Sequence, residues 1–540
     1  METVVDAHVA DIPPVIRAFK NQNTSAAAVK PARTLVLCFD GTGDQFDTDN
    51  SNIIEFFTLL EKGNRAEQMV YYQAGIGTYT IPQVATPMMA KVEKTLDEMI
   101  AWNLNAHVMG GYEFLMQNYE AGDKICIFGF SRGAYTARAL AGMVHKVGLI
   151  PACNHQQVPF AYKMFTRTDE LGWKQSTAFK KAFSIDVDIE FVGVWDTVSS
   201  VGLIPRTLPF TASNTSIKTF RHAVSLDEHR AKFKANLFNR PQQFEERLGT
   251  QPGDMPNPED SVKSRLEDVA NTVLKDLRLE GSEDANGKAK QTQAVLQAKP
   301  KRKPRGKHIT DILEVWFAGC HCGKPYPMNY AAAELTIVCV ADVGGGSVPS
   351  DTPHSLARIP LRWMIRQCFL ADTGIRFHAE LLRGVGLDPC RFYPSVLERP
   401  PPISSSPNVT MPSPPESTSW FGSWFGSSSN SPKTLVNYAN VRPGYLTEEE
   451  EDLADALSPM YDQLALAPFW WILEWLPMRH KVQRADNNFN MGRARSIPES
   501  HKKGKLNVHR SVKLREEAEG LAGGPYRHRV EFWTEPTWAD

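Results

Sequence analysis

A buried strand that turns directly into a helix of small residues is the feature that most constrains how this chain folds. Residues 124–134 read KICIFGFSRGA, so an apolar run ends in the pattern Gly-x-Ser-x-Gly around Ser131. The turn between such a strand and helix has no room for a Cβ, and Gly129 and Gly133 flank the serine. Gly133 also begins a series of small residues spaced by four, which leaves one helix face almost without side chains. The segment predicts a nucleophile elbow at Ser131; the alternative is an ordinary turn with a solvated serine.

Charge and apolar patterning exclude several classes of protein. The 540 residues carry a net charge of -1, which gives no bulk attraction to nucleic acid or to an anionic membrane. No apolar run approaches the roughly 20 residues of a membrane span, and residues 1–30 lack the apolar region of a secretion signal. The eight cysteines include Cys38 and Cys126 inside apolar segments, as is typical of buried thiols in a reducing compartment. These features predict a cytoplasmic protein with no nucleic-acid partner.

Five apolar segments predict strands, and helical stretches separate most of them. They are Thr34–Phe39, Gln68–Gln73, the strand before Ser131, Ile189–Trp195 and Ile312–Ala318. Strands that alternate with helices along a chain form a parallel sheet with helices packed on its faces. The expected fold class is therefore α/β, with a mostly parallel central sheet.

Shifts in composition divide the chain into parts. We expect a flexible tail over residues 1–30, a main domain over 31–398 with a polar insertion at about 249–307, a Pro/Ser-rich linker over 399–432, and a C-terminal extension over 433–540. The basic run at 299–307 resembles a nuclear signal, although a solvated loop is the favoured interpretation. The extension opens with a capping-box pattern at Thr447 and contains a Trp-rich segment at 469–476 that is too short to span a bilayer.

An activated serine needs an imidazole base, a carboxylate that orients this base, and amide donors for the developing oxyanion. Asp196 lies where an apolar strand ends, and burial there penalises a charge that has no partner. His321 also follows a strand end, on the side where α/β sheets bind ligands. The order Ser131, Asp196, His321 is that of α/β-hydrolases. His222 is the competing base, but its charged neighbours at 227–230 indicate a structural polar cluster.

The loop after the first strand supplies candidate oxyanion donors. The backbone amides of Gly41 and Thr42 are candidates beside the backbone N–H of Arg132. The same loop superficially resembles the phosphatase signature Asp-x-Asp-Gly-Thr. Cys38 occupies the place of the nucleophile in that signature, so we do not expect phosphoryl transfer through Asp40.

Two further motifs bear on ligands. The glycines at 344–346 either cradle an anion with their amides or form a sharp turn, and the sequence favours neither. The residues Cys320, His321 and Cys322 suggest a metal site, but successive side chains of an extended chain point to opposite sides, so zinc is not expected. We predict no metal and no cofactor.

Taken together and in this order, the motifs resemble the DUF2235 family of α/β-hydrolases, which includes the catalytic domain of Tle1-type phospholipase effectors of type VI secretion. They run from about Pro31 to Leu387 and read LVLCFDGTG (35–43), YQAGIGT (72–78), GFSRGAY (129–135), VWDT (194–197), LDEHR (226–230) with His222, WFAGCH (316–321) and DVGGG (342–346). The aromatic C-terminal part is similar to fungal relatives. The resemblance implies an α/β-hydrolase-like three-layer sandwich, a triad of Ser131, Asp196 and His321, and lipid ester hydrolysis. Beside the triad we predict supporting turns at Asp40, Asp342, Gly344 and Gly345.

The chain departs from the family pattern after the histidine. In the family the histidine segment leads almost directly into DVGGG, whereas here residues 323–341 intervene. This segment begins with Gly-Lys, which the donor-like sequence GGTAAG can encode, and has Leu-Thr near its end, which a branch-point-like CTGACN can encode. We interpret it as a retained intron.

Two functions of different classes follow from these observations. The first is a serine hydrolase that cleaves carboxylic esters, lipid or phospholipid esters in particular, through an acyl-enzyme, with possible peripheral contact to a membrane. The second is a non-catalytic binding protein that uses a degenerate hydrolase pocket. The sequence leaves the acyl chain, the head group and the oligomeric state open.

Overall fold

The computed structural model describes residues 12–22, 32–41, 44, 46, 48–75, 89–198, 208–230, 233–239, 248–250, 254–255, 309–321, 342–346, 348–402, 446–462, 481–483, 489–491, 497, 506–518, 521, 524–528, 530, 532 and 534–540. For 89–103, 481–483 and 489–491 it describes the backbone alone. Several sequence predictions lie outside the described residues: Thr42, most of the polar insertion at 249–307, the segment 323–341, most of the linker at 399–432, and the Trp-rich segment at 469–476.

Strands and helices are numbered here along the chain. The strands are β1 (Val15–Arg17), β2 (Thr34–Phe39), β3 (Gln68–Gln73), β4 (Lys124–Phe130), β5 (Ile189–Trp195), β6 (Ile217–Ser225), β7 (Asp311–Phe317), β8 (Arg376–His378), β9 (Lys481–Gln483), β10 (Phe489–Met491), β11 (Asn507–His509) and β12 (Thr537–Ala539). The α-helices are α1 (Asn52–Leu59), α2 (Met89–Asn118), α3 (Ser131–Val147), α4 (Val158–Thr166), α5 (Glu170–Phe183), α6 (Arg358–Leu370), α7 (Ala379–Gly384), α8 (Glu448–Ala456) and α9 (Arg510–Glu517).

Eight strands form one sheet in the order β12-β11-β7-β6-β5-β4-β2-β3, and each neighbouring pair is parallel. In this register Phe39 lies beside Gly129, and Phe130 lies beside Trp195. Because parallel strands end at the same edge of a sheet, the residues that follow β2, β4, β5 and β7 meet there. The predicted α/β class with a mostly parallel sheet is confirmed.

Alternate side chains of the central strands reach two separate hydrophobic cores. On β2, Leu35 and Leu37 pack into the core that helices α2 to α5 cover, whereas Val36 and Cys38 pack into the core under α1 and α6. Strand side chains alternate between the two faces of a sheet, so a strand that is apolar at every position is buried on both. The predicted three-layer sandwich is therefore confirmed.

Strand β6 is absent from the sequence-based prediction, because Lys218, Arg221 and His222 interrupt its apolar run. Arg221 and His222 are nonetheless buried. Arg221 pairs with Asp311 of β7 at 2.6 Å, and His222 pairs with Glu314 of β7 at 2.8 Å. Partners on the adjacent strand thus offset the cost of burying these polar groups, a compensation that periodicity along one strand cannot reveal.

The expectation of a flexible tail over residues 1–30 is wrong for residues 12–22. Strand β1 pairs with β8 in antiparallel fashion, and Val15 lies opposite His378. Ile16 is fully buried in the core under α1 and α6. Residues more than 350 positions away hold this segment in place, and local composition cannot reveal such distant partners.

The C-terminal extension contributes to the main sheet. Strand β11 pairs with β7 and with β12, so the extension forms one edge of the eight-stranded sheet. Helix α8 begins at the predicted capping box: the Glu450 N–H donates to Thr447 Oγ1, and the Thr447 N–H donates to Glu450 Oε2. Among the described helices, none is both long enough and apolar enough to cross a membrane.

A buried ion-pair network joins α8 to α6, which covers one face of the sheet. Arg362 of α6 lies 2.7 Å from Asp452 and 2.7 Å from Asp455 of α8. Arg399 lies 2.9 Å from the second carboxylate oxygen of Asp452. Burial alone would raise the pKa of Asp452, but Arg399 and Arg362 hold it well below its usual range. The α6–α8 contact therefore depends on ionised carboxylates.

Asp452→Asn is expected to lower the free energy of unfolding by about 3 kcal/mol at pH 7, because it removes the carboxylate that the buried guanidinium groups of Arg362 and Arg399 share. The pKa of Asp452 is lower in the folded than in the unfolded state, so its stabilisation is present above about pH 4 and is lost as the pH falls further. Urea unfolding should therefore show a difference between wild type and variant that narrows below about pH 4.

Glu380→Gln is the matched control. The Glu380 side chain is 89% exposed and 3.7 Å from Arg383, and exposed pairs contribute little. A loss of stability in Asp452→Asn no larger than that in Glu380→Gln would contradict the importance of the α6–α8 network.

Candidate active site

Ser131 lies at the sharp turn from β4 into α3. Its φ is +55°, a left-handed backbone conformation that is uncommon for a residue other than glycine. A Cβ on Gly129 would lie 2.5 Å from the Gly133 carbonyl oxygen, and a Cβ on Gly133 would lie 2.3 Å from the Asp40 carbonyl oxygen. Both glycines are therefore required for the backbone to close this turn, which raises the Ser131 hydroxyl at the edge of the sheet.

The structure brings Ser131, His321 and Asp196 into one chain of hydrogen bonds. Ser131 Oγ lies 2.8 Å from His321 Nε2, and His321 Nδ1 lies 2.5 Å from Asp196 Oδ2. His321 and Asp196 are fully buried, whereas Ser131 retains 6% exposure. Because Asp196 accepts the Nδ1–H hydrogen bond, the lone pair of His321 is on Nε2 and faces the serine hydroxyl.

The surroundings of the imidazole fix its orientation. The second oxygen of Asp196, Oδ1, accepts a hydrogen bond from the Ser225 N–H at 2.9 Å. The rings of Phe130 and Phe233 have centroids 5.2 Å and 4.9 Å from that of His321. The carboxylate therefore cannot rotate without losing a hydrogen bond, and the aromatic rings limit movement of the imidazole.

His222, the competing base, is not in contact with Ser131. Its Nε2 accepts a hydrogen bond from the Thr197 N–H at 3.0 Å, so Nδ1 carries the proton and donates to Glu314 Oε1 at 2.8 Å. Burial lowers the pKa of His222, and Glu314 opposes this only in part. Both ring nitrogens thus serve the pairing of β6 with its neighbours, which gives His222 a structural role.

Of the predicted oxyanion donors, the structure describes Arg132 and Gly41, and their backbone N–H groups differ in environment. Arg132 lies in the first turn of α3, where main-chain N–H groups are directed toward the start of the helix and favour negative charge. The Gly41 N–H donates instead to Asp40 Oδ1 at 2.8 Å, so the predicted role of this amide does not fit the structure. The Asp40 side chain, directly before the glycine, accepts the hydrogen bond of this N–H. The motif shows that an aspartate is present but not where its carboxylate points.

Asp40 is a buried anchor for the loop after β2. Besides the Gly41 N–H, its carboxylate accepts hydrogen bonds from Ser51 Oγ at 2.6 Å and from the Tyr72 hydroxyl at 2.8 Å. Burial and the neighbouring Asp40 raise the pKa of Tyr72, so this hydroxyl stays protonated as a donor. Sequence reasoning missed Ser51 and Tyr72, although Tyr72 opens one of the family motifs.

The glycine segment at 344–346 forms a tight turn against α1. The Gly344 carbonyl accepts a hydrogen bond from the Asn52 N–H at 2.7 Å. Gly345 has a φ of +86°, and a Cβ there would lie 2.5 Å from the Asn52 nitrogen. A Cβ on Gly344 would lie 2.0 Å from the Phe130 ring, which also packs beside His321. These close contacts explain why both positions are glycines, and they favour the sharp turn over an anion-binding cradle.

Cys320 joins the histidine loop to this turn. Its carbonyl accepts hydrogen bonds from the N–H groups of Asp342 and Val343 at 3.2 and 3.3 Å. The two described ends of the chain around segment 323–341 therefore lie side by side.

The Cys320 thiol does not favour a zinc site. Burial raises the pKa of this thiol well above its usual value, which is unfavourable for the thiolate that zinc requires.

Among the residues that the structure describes, one group of side chains away from Ser131 has the ligand types of a metal site. Ligand atoms of His354, Glu451 and Asp455 lie within 4.8 Å of one another, and all three residues are buried. Arg358 lies 2.9 Å from Glu451, and Arg362 lies 2.7 Å from Asp455. Arginine already neutralises these carboxylates, so the group fits the α6–α8 ion-pair network rather than a cation site.

Comparison with known proteins assigns the chain to a family. The model for the catalytic domain of Tle1-like phospholipase effectors of the type VI secretion system (T6SS) matches residues 33–367. The uncharacterized protein YEL023C of Saccharomyces cerevisiae is 28% identical over 555 residues, which cover 86% of this chain and 77% of that protein. A crystal structure of an uncharacterized protein from Pseudomonas aeruginosa aligns with 64% of this chain and 46% of that chain, at 17% identity and a TM-score of 0.28. Because the family match covers more than half of the chain, this protein belongs to the Tle1-like phospholipase catalytic-domain family.

Proposed function

We propose that this protein is a serine hydrolase that cleaves carboxylic ester bonds of lipids, and of phospholipids in particular, through an acyl-enzyme. The observation that carries the proposal is the continuous hydrogen-bond chain from Ser131 Oγ through His321 to Asp196, in a member of a phospholipase family. Each of the three groups follows a strand end at one edge of the sheet. This edge is where α/β sheets bind their ligands.

The first half-reaction acylates the serine. Ser131 Oγ attacks the ester carbonyl carbon while His321 Nε2 accepts the hydroxyl proton, and Asp196 stabilises the imidazolium that forms. The backbone N–H of Arg132 faces the developing oxyanion. When the tetrahedral intermediate collapses, the C–O bond to the alcohol breaks, and His321 returns the proton to the leaving oxygen.

The second half-reaction releases the acid. A water molecule takes the place of the alcohol, His321 Nε2 removes its proton, and the hydroxide adds to the acyl carbon. Collapse of this intermediate expels Ser131 Oγ, which regains its proton from His321. A lipid substrate requires the protein to work at a membrane surface, so peripheral contact is part of the proposal. The proposed reaction uses these three side chains, the Arg132 N–H and water.

The proposal is tested by labelling purified full-length protein with a fluorophosphonate and by offering it phosphatidylcholine vesicles. We expect a covalent adduct that mass spectrometry maps to Ser131, and release of free fatty acid from the vesicles. A short-chain p-nitrophenyl ester serves as a substrate that is not a lipid.

The outcomes separate three functions. Labelling with vesicle hydrolysis supports the lipid hydrolase, and labelling with hydrolysis of the short ester alone indicates a general esterase. Folded protein that binds vesicles but neither reacts with the probe nor releases fatty acid would instead be a binding protein with a degenerate pocket.

Deletion of residues 323–341 is expected to preserve or increase the rate of fluorophosphonate labelling and the yield of folded protein. The Cys320 carbonyl already contacts the N–H groups of Asp342 and Val343, so a shorter connection can join the two ends without moving His321. Loop closure depends only weakly on loop length. Transcript sequencing should show a spliced form without the segment. A uniformly unspliced transcript with slower labelling of the deletion variant would show that the segment is a functional part of the site.

A further inference from the structure

Three consecutive backbone N–H groups of the histidine loop donate to three buried carboxylates. The Gly319 N–H donates to Asp227 Oδ2 at 2.7 Å, the Cys320 N–H to Asp342 Oδ2 at 3.1 Å, and the His321 N–H to Glu228 Oε2 at 3.1 Å. The three carboxylates are 7%, 2% and 5% exposed, respectively. Hydrogen bonds to a charged acceptor are strong, so these contacts set the path of the loop that carries the imidazole.

Two of these carboxylates are held by the C-terminal extension. The Tyr526 hydroxyl donates to Asp227 Oδ2 at 2.9 Å, and the Tyr461 N–H donates to Asp342 Oδ2 at 3.1 Å. In each case the extension and the histidine loop share one oxygen atom as acceptor. Moving either donor therefore moves the oxygen on which the loop depends.

Tyr526 is packed against α9, which is itself bonded to α8. The residue is 8% exposed, and the guanidinium of Arg515 lies 5.2 Å from the ring centroid. Arg515 in turn donates to the carbonyls of Ala456 and Ser458 at 2.6 and 2.7 Å, at the end of α8. The tyrosine ring is thus linked through Arg515 to the end of α8, and its hydroxyl reaches Asp227 from there.

We propose that the C-terminal extension positions the catalytic histidine. The Tyr526 hydroxyl and the Tyr461 backbone N–H are positioning groups that hold His321 through Asp227 and Asp342. The extension lies beyond residues 33–367, the part of the chain that matches the catalytic-domain family. In this chain, then, the histidine loop of the family domain is supported from outside that domain. The inference rests on the proposed function, since it assigns a purpose to the placement of His321.

Tyr526→Phe tests the inference, because it removes only the hydroxyl and keeps the packed ring. The readout is the time course of fluorophosphonate labelling of full-length protein, which gives an amplitude and a rate constant. The amplitude counts folded sites that can react, whereas the rate constant reports how well the imidazole is aligned with Ser131. We expect a full amplitude with a rate constant about tenfold lower, since displacements near 1 Å at a reacting centre cost up to about 100-fold. On an ester substrate, kcat should fall by the same factor with KM unchanged.

Tyr112→Phe is the matched control. Tyr112 is also buried, and its hydroxyl donates to the Gly148 carbonyl at 2.8 Å and accepts from the Ile150 N–H at 3.0 Å. These contacts lie past the far end of the 17-residue helix α3, about 25 Å from Ser131. The control therefore loses a comparable buried hydroxyl and should label at the wild-type rate.

The outcomes distinguish this inference from the proposed function. A lower rate constant with full amplitude in Tyr526→Phe, and neither change in Tyr112→Phe, supports the positioning role. A wild-type rate constant in Tyr526→Phe, or a loss confined to the amplitude, overturns it while leaving the serine hydrolase intact. Failure of the folded wild-type protein to label at Ser131 overturns both.

Discussion

Ser131→Ala is expected to lower kcat for ester hydrolysis by about four orders of magnitude or more and to abolish fluorophosphonate labelling. The substitution removes the oxygen that attacks the ester substrate in the proposed mechanism. Its cost to the fold should be small, about 1 kcal/mol, because it deletes one hydrogen bond, to His321, and leaves Gly129 and Gly133 in place. The measurements are hydrolysis of phosphatidylcholine vesicles, mapping of the adduct by mass spectrometry, and a thermal melt.

Ser176→Ala is the control for loss of a buried serine hydroxyl. Ser176 is fully buried in α5, where its Oγ donates to the Trp173 carbonyl at 3.0 Å. This variant should melt like Ser131→Ala and hydrolyse esters like wild type. Retention of full activity in Ser131→Ala with a normal melt would end the serine-hydrolase proposal.

Fold class was predictable because the decisive signals are local. The strands β2 and β4 are apolar at nearly every position, which already identifies them as central strands of a parallel sheet. The small residues after Gly133 identified the close packing of α3. By contrast, β1 and β11 are three-residue strands whose order depends on distant partners, so composition indicated only a tail and an extension.

The candidate site also combines features that local sequence predicts with contacts to distant residues that it does not. Ser131, Asp196 and His321 each follow a strand end, so register alone brings them to one edge, and the structure has them in hydrogen-bond contact. The contacts that orient them are non-local and could not be read from spacing. Asp40 holds the Gly41 N–H that was expected for the oxyanion, and Tyr526 reaches Asp227 from 299 positions further along the chain. Sequence motifs identify the reacting groups more readily than the hydrogen bonds that position them.

Asp196 and His321 are expected to act as a unit with Ser131. His321→Ala should lower the labelling rate by about 10⁴-fold or more, because the imidazole that removes the serine proton is gone. Asp196→Asn should lower the labelling rate by about 10⁴-fold, because an amide that donates to Nδ1 favours the tautomer in which Nε2 carries the proton. The double variant should lose little more than His321→Ala alone, since an orienting carboxylate has no role without its imidazole. Losses that multiply in the double variant would show that Asp196 and His321 act independently.

His222→Ala is the control that decides between the two histidines. His222 is fully buried like His321, but its ring nitrogens are engaged by the Thr197 N–H and by Glu314. Its removal should cost stability, because it leaves the buried Thr197 N–H without its acceptor and takes one of the hydrogen bonds from Glu314. The rate constant of labelling should fall by less than about tenfold, since Asp196 keeps its hydrogen bond from the Ser225 N–H. If His222→Ala abolishes labelling while His321→Ala does not, the base has been assigned to the wrong histidine.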